Sequence, residues 1–375
     1  MAPHSRRSFL MTAAAVSVAA VAPRGLSQGN RQRVFIGSNK PDGILAFEWN
    51  PETAELAPAG VAAKIANVDW IVYSEDRKYL FAASEVESFN GKPTGAVASY
   101  AVENGVLKPI SAQNSDTRGT CHIALDHTGR TLISADYGGG GAASFRVKDG
   151  ELSQAVWSQR YTDHGPNPER QEAAHAHFVS YSPDNRFAYI NDLGGDCIHI
   201  YSLDPATAQL KVAGKYKSQP GAGPRTLHFH PNGVTAYSMN ELNSTVDVLK
   251  WNKADGSLTF VTRIRLLPKI SPAKSTGCDT VITRDGKNVY FANRGDDFIF
   301  AFTADPETGA LTPIGRTPAG GKTPRNFVLD PTEKWMLVAN QDSDQLTVFP
   351  RDPQTGELTN EPKSYACPAP MRILF

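Results

Sequence analysis

Only four cysteines stand among the 375 residues, and none are spaced Cys-x-x-Cys or in a comparable metal-binding pattern. A zinc-stapled or disulfide-dense scaffold is therefore not indicated. Cys121 and Cys278 fall at equivalent places in opposite parts of the repeat described below, too far apart to bridge, and all four cysteines read as free thiols. Net charge is missing as well. The 38 Lys+Arg balance 38 Asp+Glu, which argues against nucleic acid or an anionic membrane surface as the main partner. The apolar stretch from Leu10 to Ala22 falls short of the roughly 20 residues a spanning helix needs. No linker or long polar run interrupts the chain after its first thirty residues. With 40% hydrophobic content, residues 31–375 read as one large domain.

What the chain does contain is a repeated hairpin. Gly223-Pro-Arg-Thr-Leu-His-Phe-His-Pro-Asn-Gly233 leads into Val234-Thr-Ala-Tyr-Ser-Met-Asn-Glu241, an apolar strand, a tight turn and a second apolar strand. Equivalent turns fall at Thr128-Gly129, Asp184-Asn185, Asp285-Gly286 and Pro331-Thr332, each about fifty residues from the last, a period that with strands alone implies a propeller. A further strand follows in each unit, then an acidic turn containing glycine and a leucine. Leu56, Leu107, Leu152, Leu210, Leu258, Leu311 and Leu358 count seven blades. The first blade lacks its inner strand, and Pro370–Phe375, which aligns with Pro224–Phe229, supplies it. The expectation is an all-β, seven-bladed β-propeller closed by its C-terminal strand, which pairs edges that would otherwise template aggregation. A propeller closes on itself, so a monomer is expected.

Residues 1–30 read differently. Ser5-Arg6-Arg7-Ser8-Phe9-Leu10 sets a twin arginine before the short apolar stretch, the pattern of a twin-arginine export signal. A periplasmic or secreted location is expected, with no membrane attachment once the signal is cut.

Each hairpin places two residues sixteen apart at its open end: Asp69/Glu85, Cys121/Tyr137, His177/Leu193, Arg225/Glu241, Cys278/Arg294 and Arg325/Gln341. Arranged around a ring, these ends, with Asn39, His122 and Asp279, collect at one mouth of the central channel. Three arginines there with few carboxylates suggest an anion site. His175 and His177 share a strand face but have no third partner of matching placement, so no metal is expected. His228 and His230 fall near a turn at the opposite end and read as structural. The segment Tyr161 to Ala174 reads as a surface loop, with a lid as the alternative, and Tyr137-Gly-Gly-Gly-Gly141 as a flexible connection.

Gly-Pro-Arg-x-x-x-Phe-His-Pro-Asn at 223–232, Asn-Glu-Leu-Asn-Ser-Thr-Val-Asp-Val at 240–248, His-x-x-x-x-x-Pro-Asp-Asn at 177–185 and Pro-Arg-x-Phe-x-x-Asp-Pro at 324–331 resemble the seven-bladed lactonase family. That family includes propeller-type 6-phosphogluconolactonases and carboxy-cis,cis-muconate cyclases. The resemblance implies lactone chemistry on a small molecule, without a cofactor, with His177, Arg225, Glu241 and Arg294 as the catalytic group. His122, Tyr137, Asp279, Arg325 and Gln341 are the candidate substrate contacts. Gly-Thr-Cys-His at 119–122 and the second histidine, His175, depart from the family pattern.

Lactone hydrolysis needs a base for water, donors for the oxyanion and an acid for the departing ring oxygen. Glu241 is the candidate base, although flanking arginines weaken it, Arg225 and Arg294 the oxyanion donors, and His177 the acid. A muconate-type cyclase, or a propeller that binds an anion or a partner without catalysis, would use parts of the same set.

Overall fold

The computed structural model describes residues 31–267 and 275–375. The proposed export signal lies outside them. Seven antiparallel sheets follow one another along the chain, and their inner strands are Pro370–Leu374, Val68–Tyr73, Thr120–Leu125, Ala176–Tyr181, Pro224–Phe229, Thr276–Ile282 and Pro324–Leu329. The first blade is completed as expected: Phe35 pairs with Leu374, Ile36 with Ile373 and Gly37 with Arg372. In the third blade the outer strand is split into Glu151–Leu152 and Trp157–Arg160.

The alternation of side chains along a strand decides which neighbouring blade each residue packs against. Val34 and Ile36 join Leu337, Val348 and Ile373 between the seventh and first blades, whereas Phe35 between them joins Ile71 and Leu80 of the second blade. Tyr290 and Ala292 likewise face Phe327 and Met336, while Val289 and Phe291 face Tyr237 and Met239. Both faces of each sheet are thus buried, and the seven apolar clusters are the seven interfaces between adjacent blades. Six of the seven blade-counting leucines are buried, and Leu311 packs at the edge of its interface.

Buried tyrosines latch successive blades. The hydroxyls of Tyr189, Tyr237 and Tyr290 donate to the carbonyls of Gly256, Gly309 and Gly356 in the next blade at 2.8, 2.6 and 2.7 Å. All four cysteines are buried free thiols. Among the described residues no helix is long and apolar enough to cross a membrane.

Candidate active site

A β-bulge recurs at one place on every inner strand. Val68 pairs with Ser84 but Trp70 with Ala83, leaving Asp69 as the extra residue. The same slip leaves out Cys121, His177, Arg225, Arg325 and Met371, and in the sixth blade it spans Cys278 and Asp279. A bulge bends its strand and re-aims the extra side chain. Just beyond it the hairpin ends close through one backbone bond, Glu85 N–H to Asn67 O, Tyr137 to Gly119, Glu241 to Gly223 and Gln341 to Thr323, at 2.7 to 3.0 Å. Gly223 sits at φ 64°, and a Cβ there would come within 2.7 Å of Leu242, so this corner needs glycine for both backbone and space.

Glu241 is the centre of the first cluster. It is 2% exposed in its side chain, and three guanidiniums converge on it: Arg225 Nε at 2.9 Å and Arg294 at 2.8 Å on one oxygen, Arg170 at 2.5 Å on the other. Burial works against its charge, but the Arg294, Arg225 and Arg170 charges outweigh it and hold the carboxyl well below its usual range. Arg170 also donates to the Tyr137 hydroxyl at 3.2 Å. Tyr137 stacks on His175 at 4.4 Å and meets His177 edge-on at 5.6 Å. His177 is buried, and its Nδ1 has no hydrogen-bond partner among the described residues. Burial, then the Arg225 charge, push its pKa well below the ordinary value, so the ring is neutral.

A second carboxylate pair shares the rim. Arg325 of the seventh blade reaches past the first blade to Asp69 of the second at 2.9 Å. Glu85 lies against Asp69, and burial followed by the Asp69 charge push its carboxyl up to about 8, so it holds a proton at neutral pH. Arg225 draws down both Glu85 and Glu241.

Four sequence-based assignments change. His122 and Asp279 do not join the Glu241 cluster. His122 lies tilted between Phe178 at 3.9 Å and Trp70 at 4.3 Å, and Asp279 accepts from Asn326 at 2.7 Å and faces His228 Nε2 at 3.4 Å. Both line clefts that open toward the hairpin turns Pro183, Pro231 and Pro331, the opposite end of the channel. The mouth positions of those two blades are Cys121 and Cys278, which fill space against the backbone oxygens of His177 and Arg325 at 3.4 and 3.0 Å. His228 belongs to this second channel-lining group; His230 does hold a turn, bonding Gly286 O at 2.8 Å. The rim arginines outnumber the ionised carboxylates, as expected, but none stands unpaired: Arg225 and Arg294 share Glu241 and Arg325 holds Asp69, since unpaired guanidiniums would be too costly at that burial. The glycine run after Tyr137 is tight rather than flexible, since a Cβ on Gly139 or Gly140 would come within 2.4 Å of Thr117 or Ala174. Gln341 is positioned by its backbone at the rim, opening a short turn to Ser343.

Spacing missed Arg170 altogether and gave Glu85 a rim position without a role. Arg170 lies in the segment before the fourth blade, outside the repeat; its signal was a basic residue in a segment entering the mouth. Glu85 was in the rim set, but its raised pKa depends on contact with Asp69, which pattern does not show.

The described residues thus form a propeller whose channel has a buried, polar mouth built on bulges. The chain belongs to the seven-bladed β-propeller lactonase family, whose model matches residues 33–375. It is 32% identical over 299 residues to a 6-phosphogluconolactonase of Bacillus subtilis, covering 79% of this chain and 83% of that protein. It is 32% identical over 317 residues to one of Formosa agariphila, covering 81% and 88%. The periplasmic gluconolactonase of Pseudomonas aeruginosa superposes with a TM-score of 0.87 at 29% identity, covering 92% of this chain and 99% of that one. The protein is a lactonase.

Proposed function

We propose that this lactonase opens an anionic, sugar-derived lactone of the 6-phosphogluconolactone type at the Glu241 mouth of the channel. The observation that carries this is the charge count at that mouth. Arg170, Arg225, Arg294 and Arg325 face Glu241 and Asp69 while Glu85 is protonated, leaving a surplus of two positive charges for a substrate phosphate or carboxylate.

The chemistry divides according to the environments of the titrating groups. Neutral His177, with its unpartnered Nδ1, takes a proton from water as the water oxygen bonds to the lactone carbonyl carbon. Arg294, whose Nε is also without a partner, and Arg225 stabilise the tetrahedral oxyanion. The bond from that carbon to the ring oxygen breaks as Glu85 donates its proton to the ring oxygen, and the imidazolium proton returns to Glu85. Glu241, clamped by three arginines, holds them in place rather than acting as base.

We further propose export as the place of action, supported by Arg6-Arg7 and the apolar stretch behind them, and a monomeric working form. Localisation of an Arg6→Lys, Arg7→Lys variant and size-exclusion mass measurement test these two points.

The activity test is pH-stat titration of 6-phosphogluconolactone and unphosphorylated gluconolactone, corrected for spontaneous opening. Turnover with a lower KM for the phosphorylated lactone is expected, abolished in His177→Gln. Equal KM for both lactones would refute anionic recognition, and undiminished turnover in His177→Gln would move the reaction away from this mouth.

A further inference from the structure

Outside this mouth, the fourth blade gathers a second set of chemically matched side chains. Its second strand, Phe187–Asp192, ends on Asp192; its third, Cys197–Asp204, opens with Cys197 and, two residues on along the strand, His199. Asp163, from the segment leading to Arg170, completes the group. Ligand atoms of the four lie within 4.8 Å of one another. Cys197 Sγ is 3.5 Å from His199 Nε2, which is 3.6 Å from Asp192 Oδ2 and 3.8 Å from Asp163 Oδ2.

The separations of His199 from Cys197 and Asp192 match the edges of a zinc tetrahedron, and that from Asp163 is slightly longer. With Zn–S near 2.3 Å and Zn–N or Zn–O near 2.0 to 2.2 Å, donors around one ion stand about 3.4 to 3.6 Å apart. The surroundings point the same way. Asp192 is fully buried, its Oδ1 accepting the N–H groups of His175 at 2.8 Å and Gly195 at 2.9 Å, while Oδ2 has no hydrogen-bond partner among the described residues and lies 3.6 Å from His199 Nε2 in the cluster. Gly195 leaves the space open, because a Cβ there would lie 2.5 Å from Asp192 Oδ2 and from Asp163 Cβ. Tyr161 stacks flat on the His199 ring at 3.8 Å and fixes its plane.

We propose that Asp163, Asp192, Cys197 and His199 form a binding site for a divalent transition metal, zinc by donor chemistry. One thiolate and one imidazole favour zinc over calcium or magnesium, which prefer all-oxygen shells. The site is structural in character: four protein donors close the shell, and the ion would pin the Asp163 segment to the blade, thereby setting the segment that delivers Arg170 to Glu241. Lys215, now 2.8 Å from Asp163 Oδ2, must yield that oxygen or leave the ion the other one. Zinc binds cysteine as the thiolate, so the Cys197 proton leaves on binding. The proposal does not depend on which lactone is used.

The test uses the whole protein after chelator treatment, titrated with Zn²⁺ by calorimetry in buffers of differing ionisation enthalpy, and with Co²⁺ by absorption. One equivalent of Zn²⁺ is expected, with release of about one proton, together with tetrahedral cobalt bands and a sulfur-to-cobalt charge-transfer band. Cys197→Ser should abolish the charge-transfer band. Asp163→Asn, at a partly exposed position outside the apolar clusters, should weaken Zn²⁺ binding at least tenfold. Zn²⁺ uptake below one equivalent, or binding that Asp163→Asn leaves intact in a folded protein, would overturn the assignment.

Discussion

Replacing Glu85 with glutamine tests the acid assignment through both stability and catalysis. The carboxyl titrates near 4.5 in the unfolded chain and near 8 in the folded protein. Below pH 4.5 it is protonated in both states and contributes no pH dependence. Between 4.5 and about 8 the unfolded chain ionises while the folded protein keeps its proton, so stability falls as pH rises, and above about 8 the loss is complete. At about 1.4 kcal/mol per pH unit the ceiling is about 5 kcal/mol. Glu85 retains some solvent contact, and screening reduces the expected loss to about 2–3 kcal/mol. Glutamine does not titrate. Relative to the wild type, Glu85→Gln should therefore gain about 2–3 kcal/mol between pH 5 and pH 9, read from urea midpoints of both proteins at both pH values. Wild-type kcat should decline above about pH 8 as the proton is lost, and the variant should lose about 10²- to 10⁴-fold in kcat without that alkaline limb. A stability difference that does not change with pH would mean that Glu85 is already ionised in the folded protein, which would remove it as the acid.

Glu241→Gln strips three guanidiniums of their shared carboxylate and should cost about 3–5 kcal/mol of stability, measured by urea unfolding, as well as activity. Arg170→Ala, at a partly exposed side chain, should raise KM for the phosphorylated lactone about tenfold in steady-state assays, with little change in Tm. Deleting Pro370–Phe375 opens the ring, removes the buried Met371 and Ile373 and uncovers Val34, Ile36 and Leu337 of the same interface; loss of a cooperative thermal transition is expected, because such losses approach the whole stability of a domain. Tyr237→Phe leaves the Gly309 carbonyl without its 2.6 Å partner in a fully buried setting and should cost about 1–3 kcal/mol by chemical denaturation.

The fold was legible because its information is local. Alternation along each strand, turn residues at a fifty-residue period and a C-terminal segment that repeats Pro224–Phe229 were all visible without a partner blade. The site was half legible. The sixteen-residue spacing picked the rim positions of six blades, and His177, Arg225, Glu241, Arg294 and Tyr137 do come together there. The errors came from moving one residue along where the rim position looked chemically inert. Cys121 and Cys278 occupy the rim, whereas His122 and Asp279, chosen in their place, face the other end of the channel because the strand turns its next side chain away. The ion pairing of the arginines, the proton on Glu85 and the cluster at Cys197 depend on contacts between segments far apart in sequence, which no single-strand pattern encodes.

The recurring bulge also explains how one scaffold separates folding from chemistry. The seven slots hold Met371, Asp69, Cys121, His177, Arg225, Cys278 and Arg325, residues that share neither size nor charge, on strands of the same length class and pairing. Residues on either side of each slot carry the packing between blades: Val68, Ile71, Ile123, Val179, Leu227 and Phe327 are buried in the interfaces. A slot is thus constrained by what meets it across the mouth rather than by the core beneath it. An arginine in a slot requires a carboxylate elsewhere on the rim, as Arg325 requires Asp69 across an intervening blade and Arg225 requires Glu241 at the end of its own hairpin. Charge at the mouth is set by that pairing, and the surplus on which the proposed anionic recognition rests arises where Arg170 enters from outside the repeat and Glu85 keeps its proton.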